Sequence, residues 1–183
     1  RKLMSKPLPV SRYDKGCTRG GRMQILGIDP GTRESAFVVW DDVAEVLVEK
    51  GIHSNPELVK LLAEMPYDMA LGGIAIEMID NNGQAVGNDT FETVLWIGVF
   101  LAALGVDLAD IHKHLVYRRR VKLNLCGAMQ GIKDANVSMA LRNRFGEKGT
   151  KKNPGKLYGI RSHEWSALAV AVTYSDQQRQ LAK

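Results

Sequence analysis

The sequence predicts a single α/β domain in which helices flank a sheet on both faces. Short apolar runs alternate along the chain with longer amphipathic segments, a pattern typical of this class. Two of the apolar runs contain an isolated acidic residue, as at the ligand-binding edge of such sheets. A chain of 183 residues with 45% hydrophobic content is long enough to bury one substantial core.

The first 22 residues differ in composition from the rest. They hold seven basic residues and one acidic residue, and they show no hydrophobic period. We expect residues 1–22 to form a flexible basic extension and residues 23–183 to form the domain. The extension is either a tag-like or upstream-translated segment, or an arm that contacts DNA.

The first strand is predicted at residues 24–29, and Asp29 ends it. The chain then turns at once through Pro30, Gly31 and Thr32. A carboxylate at the end of a buried strand is costly unless a positive charge meets it. Asp29 is therefore a candidate to bind a metal ion or to lie beside a phosphate. The alternative is that Asp29 only caps the turn.

Two strands and a helix are predicted next, at residues 35–41, 44–53 and 56–65. Ala70–Ile79 is then a run of apolar and small residues interrupted only by Glu77, as in a central strand covered on both faces. Because glutamate is rarely buried without a partner, Glu77 is expected to share a site with Asp29. A surface glutamate at a strand edge is the alternative.

A polar loop and an apolar helix are predicted to follow the Glu77 strand. The loop from Met78 to Asp89 is rich in Asn, Gly and Asp, and it either probes the substrate beside the site or simply connects two elements. The helix Thr90–Leu104 is apolar around most of its circumference, which places it in the core or in a subunit interface. A short strand is predicted at Leu115–Tyr117.

The last third of the chain is predicted to contain a basic turn, two helices and a basic loop. In order, these are the turn Arg118–Arg120, a helix at 133–145, the loop Gly146–Arg161 and a helix from 162 to about 178. Ser162 is expected to be the N-cap of the last helix. His163 and Ser166 are three residues apart and therefore share one face of that helix. This face can bring His163 to the two acids; otherwise His163 is a surface residue.

The net charge of +5 hides a strong asymmetry along the chain. Residues 23–112 hold 3 basic and 15 acidic residues, whereas residues 113–161 hold 13 basic and 2 acidic residues. A basic segment beside an acidic site suits a substrate that is bound through its phosphates, although a charged run can also be only a solvated surface. The expected nucleic-acid-binding residues are Arg118, Arg119, Arg120, Lys122, Lys133, Lys151 and Lys152, together with Lys148, Lys156 and Arg161.

The order of these motifs resembles that of the RuvC-type Holliday junction resolvases of the RNase H-like superfamily, and most of all their phage-like branch. The resemblance spans residues 24 to about 175. It implies an RNase H-like mixed five-stranded sheet flanked by helices on both faces. The matching residues are Gly27–Thr32, Ile74–Glu77, Val121–Lys122 with Gly127 and Lys133–Asn136, and His163–Ala169.

The resemblance implies a metal-dependent endodeoxyribonuclease that cleaves Holliday junctions and other branched DNA, in recombination, repair or phage DNA processing. Phosphodiester hydrolysis of this kind uses two divalent ions, magnesium or manganese, to activate a water and to steady the leaving oxygen. Asp29 would bridge the two ions, Glu77 would hold one, and His163 would hold or orient the other. The resemblance also implies a homodimer, whose two-fold symmetry suits two symmetric cuts in a junction.

Two further residues are candidates for the same site. Lys122 matches a family position near the scissile phosphate, where it would neutralise charge that develops in the transition state; the alternative is a simple phosphate contact. Asp134 is either a fourth acid of the site or an acid that stabilises the start of the helix at 133–145 through its macrodipole.

The sequence departs from the family pattern on the last helix. Family members often carry two acids three residues apart there, and this chain has His163 and Ser166. Histidine can bind a divalent ion, with a preference shifted towards manganese, whereas serine is a poor ligand. Glu164 is about 100° around the helix from His163 and would join the site only if the helix were rotated. The alternative function is therefore that of a branched-DNA-binding protein of the same fold with weakened catalysis.

The sequence gives no sign of a membrane or disulfide-stabilised protein. No apolar segment is long enough to predict a membrane span. The two cysteines, Cys17 and Cys126, are too few for a disulfide framework or a metal cluster. We therefore expect a cytoplasmic protein without a membrane partner, in a bacterium or in a phage-infected host cell.

Overall fold

A computed structural model describes residues 24–65, 71–80, 83 and 85–182. The predicted extension at residues 1–22 lies outside this part of the chain. The described residues form one mixed sheet with helices on both of its faces, so the predicted fold class is confirmed.

Five strands form the sheet: β1 Gln24–Asp29, β2 Glu34–Asp41, β3 Val46–Ser54, β4 Leu71–Met78 and β5 Leu115–Tyr117. Their spatial order is β3-β2-β1-β4-β5. The pairs β1–β2 and β2–β3 are antiparallel, whereas β1–β4 and β4–β5 are parallel. The two inner strands β1 and β4 therefore end at the same edge of the sheet. The predicted strands are confirmed to within two residues at each end.

The helices of the described residues are α1 Asn55–Glu64, α2 Asn88–Ala103, a 3₁₀ helix Leu108–His114, α3 Arg118–Cys126, α4 Asp134–Phe145 and α5 Glu164–Leu181. The four predicted helices are confirmed to within three residues at each end. The 3₁₀ helix and α3 were not predicted from the sequence.

The prediction of a basic turn at Arg118–Arg120 is wrong, because these residues form the first turn of α3. The helix buries Val121 against the core, and arginine itself is a good helix former. It ends at Gly127, which adopts a left-handed backbone with φ 71° and donates its N–H to Leu123 O. The basic side chains thus project from a helix that packs on the domain.

Ser162 is not the N-cap of α5; His163 occupies that position. The backbone of Ser162 has φ 42°, and the side chain that closes the turn belongs to Glu164. Its Oε2 accepts a hydrogen bond from the Arg161 backbone N–H at 2.8 Å and lies 3.5 Å from Lys50 Nζ. Glu164 is 1% exposed, so it is a structural residue of this turn.

Alternate residues of the strands face two separate cores. In β1, Leu26 and Ile28 face the layer of α1 and α2, whereas Ile25 faces the layer of α3, α4 and α5. β4 alternates in the same way. By this period of two, Asp29 and Glu77 both point towards the layer that contains α5.

Two glycines let α5 lie close against the inner strands. A Cβ at Gly27 of β1 would meet Ala167 O at 2.3 Å, and a Cβ at Gly73 of β4 would meet Tyr174 Cε1 at 2.3 Å. A larger residue at Gly27 would push the backbone of α5 away from the sheet, whereas one at Gly73 would displace the Tyr174 ring. Because α5 runs antiparallel to β1, its first turn lies at the end of the strand that carries Asp29.

No single helix among the described residues is long and apolar enough to cross a membrane. Only α2 and the 3₁₀ helix together reach that length and composition, and they are bent by 114° relative to one another.

Candidate functional site

Asp29 and Glu77 lie side by side at the carboxyl ends of β1 and β4. Ile28 is paired with Ile76 across these parallel strands, and each acid follows one residue later. Glu77 is 7% exposed, and the Asp29 side chain is 15% exposed. The structure thus brings together two acids that are 48 positions apart in the sequence.

Burial raises the pKa of both carboxyl groups. The pKa of Glu77 is raised to about 7, first by burial and then by the negative charge of Asp29, although Arg118 opposes the shift. The pKa of Asp29 is also raised by burial, against the lowering effect of His163. Two adjacent desolvated carboxyl groups with raised pKa values form a site where a bound cation is stabilised.

His163 completes the arrangement from the start of α5. Its Nδ1 lies 3.1 Å from Asp29 Oδ2. The ring is 67% exposed, so one side of it meets Asp29 while most of it faces solvent. His163 can therefore orient the Asp29 carboxylate and still be reached by a substrate or an ion.

Arg118, the first residue of α3, links two acids from different elements. Its Nη1 donates to Glu77 Oε1 at 2.7 Å, and its Nη2 donates to Asp134 Oδ1. From the sequence, Arg118 was predicted only to bind nucleic acid. No sequence signal indicates its place among the acids, because that place depends on how α3 packs beside β4.

Lys122 faces a cleft on the Glu77 side of the site. The cleft has a volume of about 820 Å³, and Glu77, Arg118, Arg119 and Lys122 are among its lining residues. Arg119 Nε lies 3.3 Å from Asp80 Oδ2, at the end of β4. Lys122 is thus in the same cleft as the buried acid Glu77.

Ser166 and Asp134 line a smaller cavity on the other side of Arg118. This cavity has a volume of about 250 Å³ and is also lined by His163. Asp134 is the first residue of α4, so its position agrees both with a site acid and with a helix-start acid. Ser166 is half-buried and adds only a hydroxyl to this cavity.

Asn55, which was not among the residues predicted from the sequence, holds the turn that follows Asp29. Its Nδ2 donates to Gly31 O at 3.0 Å, and its Oδ1 accepts from Ser35 Oγ at 2.7 Å. Ser35 Oγ in turn accepts from the Gly31 N–H at 3.1 Å, and the Asn55 N–H donates to Arg33 O at 2.9 Å. The sequence shows only an asparagine before Pro56 at a predicted helix start, and its complete burial is seen only in the structure.

The other predicted DNA-binding residues differ in their contacts. Lys148 Nζ donates to Ile160 O at 3.3 Å, and Lys156 Nζ pairs with Glu45 Oε2 at 2.8 Å, so these two lysines have partners within the protein. Exposed positions are held by Arg119, Arg120, Lys133, Lys151, Lys152 and Arg161.

The acidic pair fits a divalent cation. Across the described residues, no three histidine, cysteine, aspartate or glutamate side chains already converge as a metal-binding group. Glu77 Oε2, however, is buried and has no hydrogen-bond partner among those residues. Such an oxygen needs a donor or a cation, and carboxylate oxygens suit magnesium and manganese. Asp29 and Glu77, with His163 beside them, would hold the ion.

Comparison with known proteins shows the fold. No protein-family model and no curated protein matches this sequence. A structure of T. thermophilus RuvC in complex with a Holliday junction substrate is similar, with a TM-score of 0.63 and 18% identity. A second Thermus thermophilus RuvC structure gives a TM-score of 0.62 and 17% identity. In both cases the match covers 86% of this chain and 96% of the other. The RuvC-type, RNase H-like fold is thus confirmed.

Proposed function

We propose that this protein is a divalent-metal-dependent endonuclease that cleaves Holliday junctions and other branched DNA. The observation that carries the proposal is the acidic pair of Asp29 and Glu77 on neighbouring parallel strands, with His163 Nδ1 3.1 Å from Asp29 Oδ2. The pair lies on a fold shared with a RuvC that binds a Holliday junction substrate. The proposed setting is recombination, repair or phage DNA processing in the cytoplasm.

The residues of the site would each have a separate role in phosphodiester hydrolysis. Magnesium or manganese, as one or two ions when bound, would supply a water of lowered pKa and positive charge at the phosphate. Asp29 and Glu77 would hold the ions through carboxylate oxygens, and His163 would orient Asp29 or hold an ion. Lys122, in the cleft beside Glu77, would offset the charge that grows on the phosphate.

The DNA backbone would lie across the exposed basic side chains that surround this cleft. Arg119 and Arg120 project from the first turn of α3, and Lys133 stands at the start of α4. Lys151 and Lys152 extend the basic surface onto the loop before α5. Contacts of this kind are insensitive to base sequence and depend strongly on salt, so they favour recognition of DNA shape.

A second copy of the chain is proposed to bind the outer face of α2. The inner face of this helix is buried against the sheet, but its outer face exposes a row of apolar side chains. Solvent exposure of such a row is costly, and burying it in a two-fold dimer would present two sites to one junction. The exposed side chains are Phe91, Val94, Leu95 and Val99, with exposed fractions of 60%, 38%, 69% and 42%.

Cleavage of a synthetic four-way junction by the purified chain tests the proposal. We expect nicks in the junction but not in a linear duplex of the same sequence, in magnesium or manganese. Asp29→Asn and Glu77→Gln should each lower the cutting rate by at least about a hundredfold, because they remove ligands for the ion, while junction binding stays within a few fold. Glu64→Gln changes an exposed acid at the end of α1 and serves as the control. Cutting retained in both site variants would refute the assignment.

The second candidate is a branched-DNA-binding protein with weakened catalysis. Ser166 favours it, because this half-buried hydroxyl faces the cavity with His163 and Asp134 and is a poor metal ligand. A junction that is bound in a gel-shift assay but remains uncut in both metals would support this candidate over the nuclease.

A further inference from the structure

We propose that Arg118 competes with divalent cations for Glu77, and that its guanidinium must leave the acidic pair before the site is loaded. The inference deepens the proposed function and rests on it. It concerns a residue that sequence analysis assigns only to DNA binding, and it gives that residue a second role in the protein without DNA.

The contacts of Arg118 place a positive charge between Glu77 and Asp134. One guanidinium nitrogen donates to Glu77 Oε1 at 2.7 Å, and the other donates to Asp134 Oδ1. Charge-assisted hydrogen bonds of this kind are about twice as strong as neutral ones. Glu77 is only 7% exposed, so water contributes little to its stabilisation. Arg118 is therefore its principal cationic partner among the described residues.

Arg118 donates a hydrogen bond to only one of the two carboxylate oxygens of Glu77. Glu77 Oε1 is engaged, whereas Oε2 is buried without a hydrogen-bond partner among the described residues, and the charge of Asp29 lies beside it. A divalent ion between the two acids would compensate both. The same ion would stand within a few ångströms of the guanidinium, and two like charges at that distance repel each other strongly outside bulk water. Guanidinium and ion therefore disfavour one another at Glu77, and each weakens the binding of the other.

Two cavities next to Arg118 have room for its displaced guanidinium. It lines both the cleft of about 820 Å³ that contains Lys122 and the cavity of about 250 Å³ next to His163. Its partner Asp134 is 75% exposed, so that contact does not confine it. A guanidinium displaced into the cleft would join Lys122 as a phosphate contact. Metal loading would thus turn Arg118 from a partner of the acids into a ligand for the DNA backbone.

Direct titration of the metal-free chain with manganese, without DNA, tests this competition. Free manganese is followed by electron paramagnetic resonance in the wild type, Arg118→Lys and Arg118→Gln. We expect Arg118→Gln to bind manganese about 10- to 100-fold more tightly than the wild type, the range that corresponds to one charge-assisted hydrogen bond. Arg118→Lys, which keeps the charge but loses the two-pronged geometry, should fall between them.

Arg144→Gln is the matched control. Arg144 makes a two-pronged contact with Asp176, at 2.6 and 2.8 Å, at a distance of more than three turns along α5 from His163. Its loss should leave the manganese affinity within about twofold of the wild type. The gain in Arg118→Gln should also vanish when Glu77→Gln is added, because the contested ligand is then gone.

Equal or weaker manganese binding by Arg118→Gln would overturn the inference, as would a gain that survives the loss of Glu77. Different results would refute the competition by Arg118 and the nuclease function. Junction cutting by the wild type, together with equal manganese affinities, removes the competition and leaves the nuclease. Tighter binding by Arg118→Gln, in a protein that cuts no junction in either metal, leaves the competition and removes the nuclease.

Discussion

At the scale of single residues, the ionised form of Glu77 is disfavoured by burial and by the negative charge of Asp29. Its carboxyl group is buried next to Asp29, and its pKa rises from 4.5 to about 7 as a result. The folded protein therefore keeps a proton that the unfolded chain releases at lower pH. Stability arising from this proton is fully present below about pH 4.5 and is lost as the pH rises to about 7.

Glu77→Gln should remove this pH dependence from the metal-free protein. Relative to the wild type, the variant should gain on the order of 2 kcal/mol in the free energy of unfolding between pH 5 and pH 8, because glutamine never ionises. Urea unfolding at the two pH values, with a chelator present, measures the difference. Parallel pH profiles for the two proteins would show that Glu77 ionises normally in the folded state.

Ser166 is the residue at which a gain of function is expected. It is half-buried and lines the cavity shared by His163 and Asp134, so Ser166→Asp would add carboxylate oxygens to the site. We expect magnesium-dependent junction cutting to rise about tenfold, because magnesium prefers oxygen ligands. The cutting rate at fixed magnesium is the measurement.

Ser138→Asp is the control for Ser166→Asp. Ser138 lines the same cavity from α4, and the change adds the same charge on the opposite wall. A similar gain in both variants would mean that charge alone, and not a ligand at the right position, improves cutting.

At the scale of secondary-structure elements, the start of α1 supports the end of β1. Asn55 is fully buried and bonds to both sides of the turn that follows Asp29, through Gly31 O and Ser35 Oγ. Both polar atoms of its side-chain amide, Nδ2 and Oδ1, therefore have hydrogen-bond partners at this turn. The turn, and with it the end of the strand, is held by a helix that contributes no acid to the site.

Asn55→Ala should destabilise the protein and slow its cutting of DNA. Gly31 O and the Ser35 hydroxyl lose a buried partner, so we expect a loss of about 1–3 kcal/mol in the free energy of unfolding. Cutting should fall about tenfold under conditions where the variant is folded, because the turn beside Asp29 loosens. Urea unfolding and single-turnover cleavage of a junction measure the two effects.

Ser54→Ala provides the matched comparison. Ser54 caps the same helix through its exposed contact with Glu57, and its loss should cost about 1 kcal/mol without slowing cutting. If both variants slow cutting in proportion to their loss of stability, Asn55 acts on the fold alone.

At the scale of the whole molecule, the outer face of α2 determines the expected assembly. Phe91 and Leu95 are more than half exposed, and they are one turn apart on the helix. We expect the wild-type chain to be a dimer at micromolar concentration and Leu95→Glu to be a monomer, because two buried charges would face each other across the interface. Sedimentation velocity measures the mass.

Val43→Glu is the control for the dimer. Val43 is 67% exposed in the connection between β2 and β3, so a charge there should not change the mass. A monomeric wild type, or a dimer that persists in Leu95→Glu, would contradict the proposed interface.

Much of the fold was predictable from local pattern. The strands that carry Asp29 and Glu77 were predicted because short apolar runs bounded by turn residues are typical of buried strands. The helix α3 was missed, since the three consecutive arginines at its start show no apolar period and only the packing of Val121 reveals the helix. The N-cap of α5 was misplaced by one residue, because Glu164 folds back onto the turn.

The sequence by itself determined which acids end the inner strands and which segment carries the positive charge. Only the tertiary structure decided that Arg118 lies between Glu77 and Asp134, and that Asn55 supports the turn after Asp29. These contacts join residues 16 to 41 positions apart. Local patterns reflect hydrogen bonding and burial within one element, whereas such contacts depend on how helices pack on a sheet, which no single segment specifies.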